Sequence, residues 1–292
     1  MDARTVWGTW RRVLREPALQ HAMFDGPLDD GRAGGLGLTP AEREVVEQYA
    51  RFPKGTRFFV ENYRFRMRSS FLNAVETAAP LTHRLLRAHS VDIDALATRF
   101  LDAVEWHDFG PYVYTFGDQI LGHLVDQPEL AGISGLPELA ALERAGIRVI
   151  IDAATDGYRG PAEPPPESPA DRADQADRAH WAYRANPRAA TVHCALDLSA
   201  WLRDGTALGR TELPARSRWY LVFLRAPEWE RRIVVVPHRA ADMMAVLRTP
   251  CSAGQLAAAV PELGYPADPE LDRRLLDQLA RLGAVYRCAG EG

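Results

Sequence analysis

The residues best suited to chemistry in this 292-residue sequence are few and scattered. A helical domain that holds a di-iron centre carries Glu-x-x-His pairs on facing helices, and this sequence contains none. His83 and His89 are six residues apart, which places them on different sides of a helix. Glu105, His107 and Asp108 cluster at a predicted helix end, where only some of them can face one point. We therefore assign no metal ligand and no cofactor of the chain's own.

Signals for nucleophilic catalysis or phosphate binding are equally weak. The segment Gly34-Gly35-Leu36-Gly37 lacks the preceding strand of a dinucleotide-binding turn, so it indicates a loop. Cys251 follows a Thr-Pro turn and precedes a predicted helix, a position that stabilises a thiolate. No base accompanies it, and we interpret Cys251 as a small turn residue. The sequence predicts no catalytic residue, and hence a chain that is not itself an enzyme.

The C-terminal half shows strands followed by helices. The β-branched run at 233–236 stops at Pro237 and gives way to helical spacing, and Ser252 with Gln255 has the spacing of a capping box. The predicted elements are strands at 190–196, 219–224 and 232–236, helices at 238–247, 252–259 and 269–282, and a last strand at 284–288. This order predicts a small three-stranded antiparallel sheet with a winged-helix C-terminal domain.

The N-terminal half has helical periodicity nearly throughout, with a capping box and a first-turn proline at Thr39-Pro40. Residues 160–178 are rich in Pro, Asp, Glu and Ala and have no aromatic residue, which is typical of an extended linker. The expected fold class is α+β, with an all-α helical bundle at 1–159, a Pro-rich linker at 160–178 and a winged-helix domain at 179–292.

Composition and charge narrow the functional classes. The formal net charge is −4 and the pI is about 6.1, so no overall positive field attracts nucleic acid. Three well-separated cysteines form no CxxC motif and fit a reducing cytoplasm. No secretory signal is recognised, and no apolar run reaches the roughly 20 residues of a membrane span. We expect a cytoplasmic protein without a membrane partner.

A DNA-reading role for the winged helix is the main alternative. The predicted helix at 269–282 buries a stripe of Leu271, Leu275, Leu279 and Leu282. The remaining positions carry three acids and three bases, namely Glu270, Asp272, Asp277, Arg273, Arg274 and Arg281. Carboxylates so close to phosphates offset what the arginines contribute, which disfavours a DNA-binding transcriptional regulator. A free-standing helical oxidase is disfavoured because its ligand motifs are missing.

The small sheet offers a different function. A three-stranded sheet ends in exposed edges, and an exposed edge accepts an added strand from an extended peptide. We expect the run Arg232, Ile233, Val234, Val235 and Val236 to form that peptide-binding edge. Leu275, Gln278 and Leu279 on the third helix are the expected groove. The alternative is a core strand that is covered on both faces.

Two sets of segments resemble one family. VVVPHRAADMMAVLRTPCSAGQLAAAV and LDRRLLDQLARLGAV resemble the PqqD-like precursor-peptide recognition element. RSSFLNAVETAAPLTHRLL, DALATRFLDAVEW and GLPELAALERAGIRVIID resemble the helical domain of MbnC/TglI-like partner proteins of multinuclear non-haem iron-dependent oxidative enzymes. The resemblance covers about residues 10–156 and 188–290.

The resemblance implies a non-catalytic adaptor. In such pairs a separate barrel oxidase contains the iron and modifies cysteine in a ribosomally made precursor peptide, whose leader the partner binds by strand addition. The expected partners are therefore that oxidase, in a heterodimer, and the precursor peptide.

The aromatic and basic segment at 57–71 is the expected docking surface for the enzyme. One side of a predicted helix carries Arg57, Glu61, Arg64 and Arg68, and another, which we interpret as core-facing, carries Phe59, Tyr63, Met67 and Phe71. The resemblance implies that the three arginines contact an acidic surface of the enzyme.

Overall fold

The computed structural model describes residues 2–25, 28, 34–110, 112–155, 181–225 and 230–289. The chain divides into two compact units, one comprising residues 1–77 with 90–116 and the other 78–89 with 117–292. The first unit is helical, and the second combines helices with two three-stranded antiparallel sheets. The predicted order of a helical N-terminal region followed by antiparallel strands is confirmed, but the single predicted sheet is corrected to two. The predicted linker at 160–178 lies outside the described residues.

The first unit is built from amphipathic helices. Its described helices are α1 (Ala3–Arg15), α2 (Pro17–Phe24), α3 (Pro40–Ala50), α4 (Pro53–Ala78), α6 (Ile93–Ala103) and the start of α7 (Val113–Val125). The boundary between the units falls after residue 77 in α4 and after residue 116 in α7. Helix α2 was not predicted from the sequence; it starts at Pro17, the residue that separates it from the end of α1. None of the described helices combines the length and the apolar character needed to cross a lipid bilayer.

Local signals fix where these helices begin. Thr39 and Glu42 form the predicted capping box, in which the Glu42 amide donates to the Thr39 hydroxyl and the Thr39 amide donates to the Glu42 carboxylate. The core of the unit contains the buried rings of Phe71, Phe100 and Phe116, whose centroids lie 5.5 to 6.4 Å apart. Aromatic packing of this kind adds to the burial of apolar surface.

The second unit contains two small sheets and the helices that pack against them. Its elements are α5 (Pro80–Ala88), the rest of α7, α8 (Leu136–Thr155), β1 (Trp181–Ala185), β2 (Ala189–Cys194), α9 (Ser199–Arg203), β3 (Arg218–Arg225), β4 (Glu230–Val236), α10 (His238–Val246), β5 (Cys251–Ser252), α11 (Ala253–Glu262), α12 (Pro269–Arg281) and β6 (Val285–Ala289). Strands β2, β3 and β4 form one antiparallel sheet in that order, here called the central sheet. These three strands match the predicted ones to within two residues at each end.

Register assigns the two faces of the central sheet. Directly opposed residues share a face, so Leu221 lies with Val234, and Val222 lies with Ile233. The Leu221 face belongs to one apolar cluster with helices α10, α11 and α12. On the other face, Leu224 packs against Val149 and neighbouring residues of α8. Strand β3 is therefore buried on both faces, which explains why its sequence is a continuous apolar run rather than an alternating one.

A second sheet joins the C-terminal helices. Strand β1 lies between β5 and β6 and is antiparallel to both. With α10, α11 and α12 these strands form what we call the C-terminal subdomain. Strand β6 was predicted from the sequence, whereas β1 and β5 were not. Asn186, just after β1, connects this sheet to the central one: its side-chain amide donates to Gly283 O at 2.7 Å, and its side-chain oxygen accepts from the Arg188 amide at 2.9 Å.

Candidate functional site

Strand β4 forms an open edge of the central sheet. Within the described residues it pairs with β3 alone, from Trp219 opposite Val236 to Arg225 opposite Glu230. The outward edge therefore presents backbone N–H and C=O groups that an added strand can pair with. The predicted peptide-binding residues Arg232 to Val236 all lie on this strand. Val235 is 44% exposed although it belongs to an apolar run.

The side chains of β4 differ in how far they are covered. Val236 is buried, Ile233 and Val234 are half-buried, and Arg232 and Val235 are exposed. Arg232 pairs with Glu230 at 2.6 Å, and both side chains are about half exposed. Strand β4 is thus covered on part of each face and open along one edge. It has features of both alternatives considered from the sequence, an exposed edge strand and a covered core strand.

The side chain of Arg231 lies on the same face of β4 as Val235 and contacts helix α8. Its Nη1 donates to Ala78 O at 3.2 Å, and its Nη2 lies 3.9 Å from the buried carboxylate of Glu143. Gly146 makes room for it, because a Cβ at that position would lie 2.6 Å from Arg231 Cδ. This contact was not predicted from the sequence. A glycine in the middle of an otherwise strong helix was the available signal, since such a glycine usually has a packing reason.

Glu143 also caps α5. It accepts hydrogen bonds from the amides of Leu81 at 2.9 Å and Thr82 at 2.8 Å, in the first turn of that helix. Burial raises the pKa of Glu143, even though these amides favour the ionised carboxylate. Through Glu143 and Arg231, the start of α5, the middle of α8 and the edge strand β4 are connected. The side chain of Arg231 thus holds β4 in place.

Aromatic rings cover the end of the central sheet where β4 gives way to α10. The rings of Trp219 and His238 stack with centroids 5.3 Å apart, and Tyr265 meets His238 edge-on at 6.0 Å. The Tyr265 hydroxyl donates to Asp242 at 2.6 Å. Burial, together with this hydrogen bond, raises the pKa of Tyr265 to about 12. The tyrosine therefore remains protonated at neutral pH and acts as a structural donor.

The three predicted groove residues on α12 differ in their exposure to solvent. Leu275 and Leu279 are 7% and 2% exposed and belong to the core of the C-terminal subdomain, whereas Gln278 is exposed. Asp272, expected on the surface, is buried and forms a bidentate pair with Arg239 at 2.6 and 2.8 Å. The exposed face of α12 consequently carries three arginines and two acids.

The predicted docking arginines on α4 are not equivalent. Arg57 is exposed and lies over the Phe24 ring at 4.8 Å, whereas Arg64 is half-buried over the Trp106 ring at 5.0 Å. Arg68 is half-buried as well. Burial lowers the pKa of Arg64, helped by the nearby charge of Arg68. Arg57 is therefore the most accessible of the three.

The aromatic residues of α4 differ from the expectation. Met67 and Phe71 are buried as expected, but Phe59 is 50% exposed. Phe58 and Phe65, seven residues apart and hence on one side of the helix, are 72% and 65% exposed. The helix therefore exposes Phe59, which was expected in the core, together with Phe58 and Phe65, for which no expectation was drawn from the sequence.

The remaining candidate residues have structural partners. Glu105 pairs with Arg11 at 3.0 Å and with Arg15 at 3.1 Å. Across the described ranges, no group of three or more His, Cys, Asp and Glu residues is arranged to hold a metal ion. Cys251 is buried, and burial raises the pKa of its thiol, which opposes thiolate formation.

Comparison of the chain with protein-family models finds no match, and comparison with curated proteins finds none either. The candidate site is therefore identified by its geometry alone.

Proposed function

We propose that this chain is a non-catalytic adaptor that binds the leader of a ribosomally made precursor peptide by strand addition to β4. The observation that carries the proposal is the open edge of β4, which among the described residues is paired only on its β3 side. The exposed side chain of Val235 adds an apolar contact for the guest strand. We further propose that the C-terminal subdomain, with helices α10 to α12 and strands β1, β5 and β6, is a winged helix.

The adaptor would act by proximity. A bound leader raises the effective concentration of the reacting segment at the enzyme, without any chemistry on the adaptor itself. The enzyme proposed from the sequence resemblance is a separate iron-dependent barrel oxidase that modifies cysteine. The iron belongs to that partner.

The exposed aromatic side chains of the first unit support a docking role. Phe52, Phe58 and Phe65 are each at least 65% exposed, and Phe58 and Phe65 lie on one side of α4, an arrangement that suits a surface covered by a protein partner. Lys54 and Arg57 beside them are exposed as well. We assign this aromatic and basic surface, rather than Arg64 and Arg68, to the contact with an acidic surface of the oxidase.

The experiment begins with the neighbouring genes. The proposal expects a short cysteine-containing peptide and an iron-enzyme barrel to be encoded beside this gene. A fluorescein-labelled synthetic peptide that covers the N-terminal leader of that precursor is titrated with the full chain, and its anisotropy is followed. Val235→Lys places a charge on the apolar edge and should weaken binding about tenfold or more, from ~1–1.5 kcal/mol of lost apolar contact plus the cost of desolvating a cation.

Val125→Lys is the matched control, because Val125 is 38% exposed on α7 and lies outside the central sheet. It should leave leader binding unchanged. Equal loss in both variants, or no binding by the unmodified chain, would contradict strand addition at β4.

One observation favours the alternative function. With Asp272 buried, the exposed positions of α12 have one more arginine than acid, which is closer to a DNA-reading helix than the sequence indicated. Titration with duplex DNA at several salt concentrations separates the two functions. Tight binding that weakens steeply with salt would identify a transcriptional regulator instead of a peptide adaptor.

A further inference from the structure

The central sheet has a second open edge, at β2. In the described part of the chain, β2 pairs only with β3, through a ladder from Ala189 opposite Phe223 to Cys194 opposite Arg218. The sequence of β2, AATVHC, contains neither proline nor a lysine, arginine or carboxylate. Natural proteins commonly use such residues to block strand pairing at an exposed edge. The β2 edge has none of these blocking residues.

A groove follows this edge. Its cavity has a volume of about 730 Å³, and the consecutive residues from Ala189 to His193 line it. Five residues of a strand span roughly 16 Å, so the groove runs along a length suited to a short extended peptide. The groove lies within the second unit.

Part of each groove wall is apolar. Ala141, Ala145 and Val149 of α8 form one wall, and Met244 and Ala245 of α10 form the other. On β2 itself, the outward amide of Ala189 already donates to Asn186 O at 2.9 Å, and the ladder alternation leaves the amides of Thr191 and His193 pointing away from β3. At the alanine positions a guest strand would meet small apolar side chains, and longer side chains line the rest of the groove.

The groove is also positively charged. The residues that line it include one acid, Asp152, and four arginines, Arg144, Arg148, Arg184 and Arg248. Asp118 offsets part of this charge, since it lies 3.0 Å from Arg144 and 3.4 Å from Arg148. Over the ranges that the structure describes, no carboxylate forms an ion pair with Arg184 or Arg248, and both are exposed. Extended acidic chains complement this arrangement of an open ladder and basic walls.

We propose that this groove binds an extended acidic segment of a partner polypeptide, which adds to β2 as a further strand of the central sheet. Carboxylates of the guest would pair with Arg148, Arg184 and Arg248, and small apolar side chains would face Ala145 and Val149. The site goes beyond the leader-binding function proposed for β4. It lies at the opposite edge of the sheet, so both edges can be occupied at once.

The experiment uses a defined probe, a fluorescein-labelled peptide of alternating Glu and Val about eight residues long, the length of an ordinary strand. The full chain should bind it, and binding should weaken as salt rises above about 0.05 M. A Lys-Val peptide of equal length should bind at least about tenfold more weakly. Methylation of alternate backbone nitrogens along one edge of the Glu-Val peptide removes its ladder donors and should have an effect of similar size.

Variants locate the site. Arg148→Glu combined with Arg248→Glu should weaken binding of the Glu-Val peptide by at least about tenfold. Arg210→Glu reverses an exposed arginine that does not line the groove and should have no effect. Bound peptide should slow amide hydrogen exchange at residues 189–193, and Val235→Lys should leave its affinity unchanged. The last result keeps this site distinguishable from the β4 edge.

Several outcomes would overturn the proposal. These are absence of binding, equal binding of the Glu-Val and Lys-Val peptides, and protection at residues 230–236 instead of 189–193. Affinity that rises about tenfold only when residues 160–178 are replaced by a Gly/Ser chain of equal length would identify the chain's own acidic segment as the occupant. Self-association that the Glu-Val peptide reverses would identify a second copy as the occupant. Either result excludes the proposed partner segment.

Discussion

Asp272→Ala removes one partner of a buried ion pair that joins α12 to α10. Asp272 accepts hydrogen bonds from Arg239 Nε at 2.6 Å and Nη2 at 2.8 Å, and the two side chains are only 7% and 8% exposed. The guanidinium keeps its contact with Pro266 O at 2.9 Å but loses its counter-charge. Leaving a buried charge unpaired costs about 3–5 kcal/mol. We expect the C-terminal subdomain to lose stability by this amount.

A matched control separates burial from pairing. Arg232 and Glu230 also pair at 2.6 Å, but their side chains are 47% and 56% exposed. Screening by water reduces the contribution of such a surface pair to about 0–1 kcal/mol, so Glu230→Ala should have little effect. The double variant Arg239→Met with Asp272→Leu removes both charges together and should recover most of the stability lost in Asp272→Ala.

Native-state amide hydrogen exchange of residues in α10 and α12 is the suitable assay, because it reports local stability in a chain with two units. A loss of about 3 kcal/mol increases the exchange of globally protected amides more than a hundredfold. The reasoning is refuted if Asp272→Ala changes the exchange no more than Glu230→Ala does. It is also refuted if the double variant is as unstable as Asp272→Ala.

Three further predictions concern the second unit. Gly146→Ala should destabilise it by about 1–3 kcal/mol in urea unfolding, because the added Cβ would lie 2.6 Å from Arg231 Cδ. By contrast, Gly8→Ala in α1, with no atom within 4 Å of its Cβ, should be neutral or stabilising. Asp197→Asn should cost about 1–3 kcal/mol at pH 7, because hydrogen bonds from Ser199 and Arg218 outweigh burial and lower the pKa of Asp197. This stabilisation is present above the unfolded-state pKa of about 3.9 and is lost as the pH falls toward the folded-state pKa. The difference in free energy of unfolding between the unmodified chain and Asp197→Asn should therefore shrink below about pH 4. A difference that stays constant with pH would contradict the assignment. Burial raises the pKa of Cys194 to about 12, so mass spectrometry should find it unalkylated by iodoacetamide at pH 8 while the half-buried Cys288 reacts, and equal labelling would refute this.

Elements with local signals were the ones that the sequence predicted well. Thr39 and Ser252 each form the capping box that their spacing indicates, and Asp268 caps α12 ahead of a first-turn proline. These signals depend on residues three or four positions apart, so one sequence contains all the information they need. The same holds for β3, whose apolar run reflects burial on both faces.

Elements that depend on distant partners were missed. Strand β1 pairs with Cys251 and Ser252 and with residues 285–289, all more than 60 residues away along the chain. A five-residue strand beside a Pro-rich segment gives no signal for those partners. Asp272 was placed on the surface for a similar reason, since its partner Arg239 is 33 residues away.

The edge strand was predicted from the sequence, but its side-chain contacts were not. The run from Arg232 to Val236 forms an edge strand, yet Arg231, which holds that strand to Glu143, was outside the expected set. On α4, the buried positions Val60, Met67 and Phe71 set the core-facing side of the helix, so Phe58 and Phe65 face outward. The groove along β2 could not be predicted, because it is formed by α8, β2 and α10 together.

The central claim is that β4 accepts a guest strand, and amide hydrogen exchange with and without the leader of the neighbouring precursor tests it most directly. The account predicts slower exchange at residues 230–236 in the presence of the leader and weaker protection in Val235→Lys at the same leader concentration. Unchanged exchange at 230–236, at leader concentrations that saturate the anisotropy titration, would contradict it.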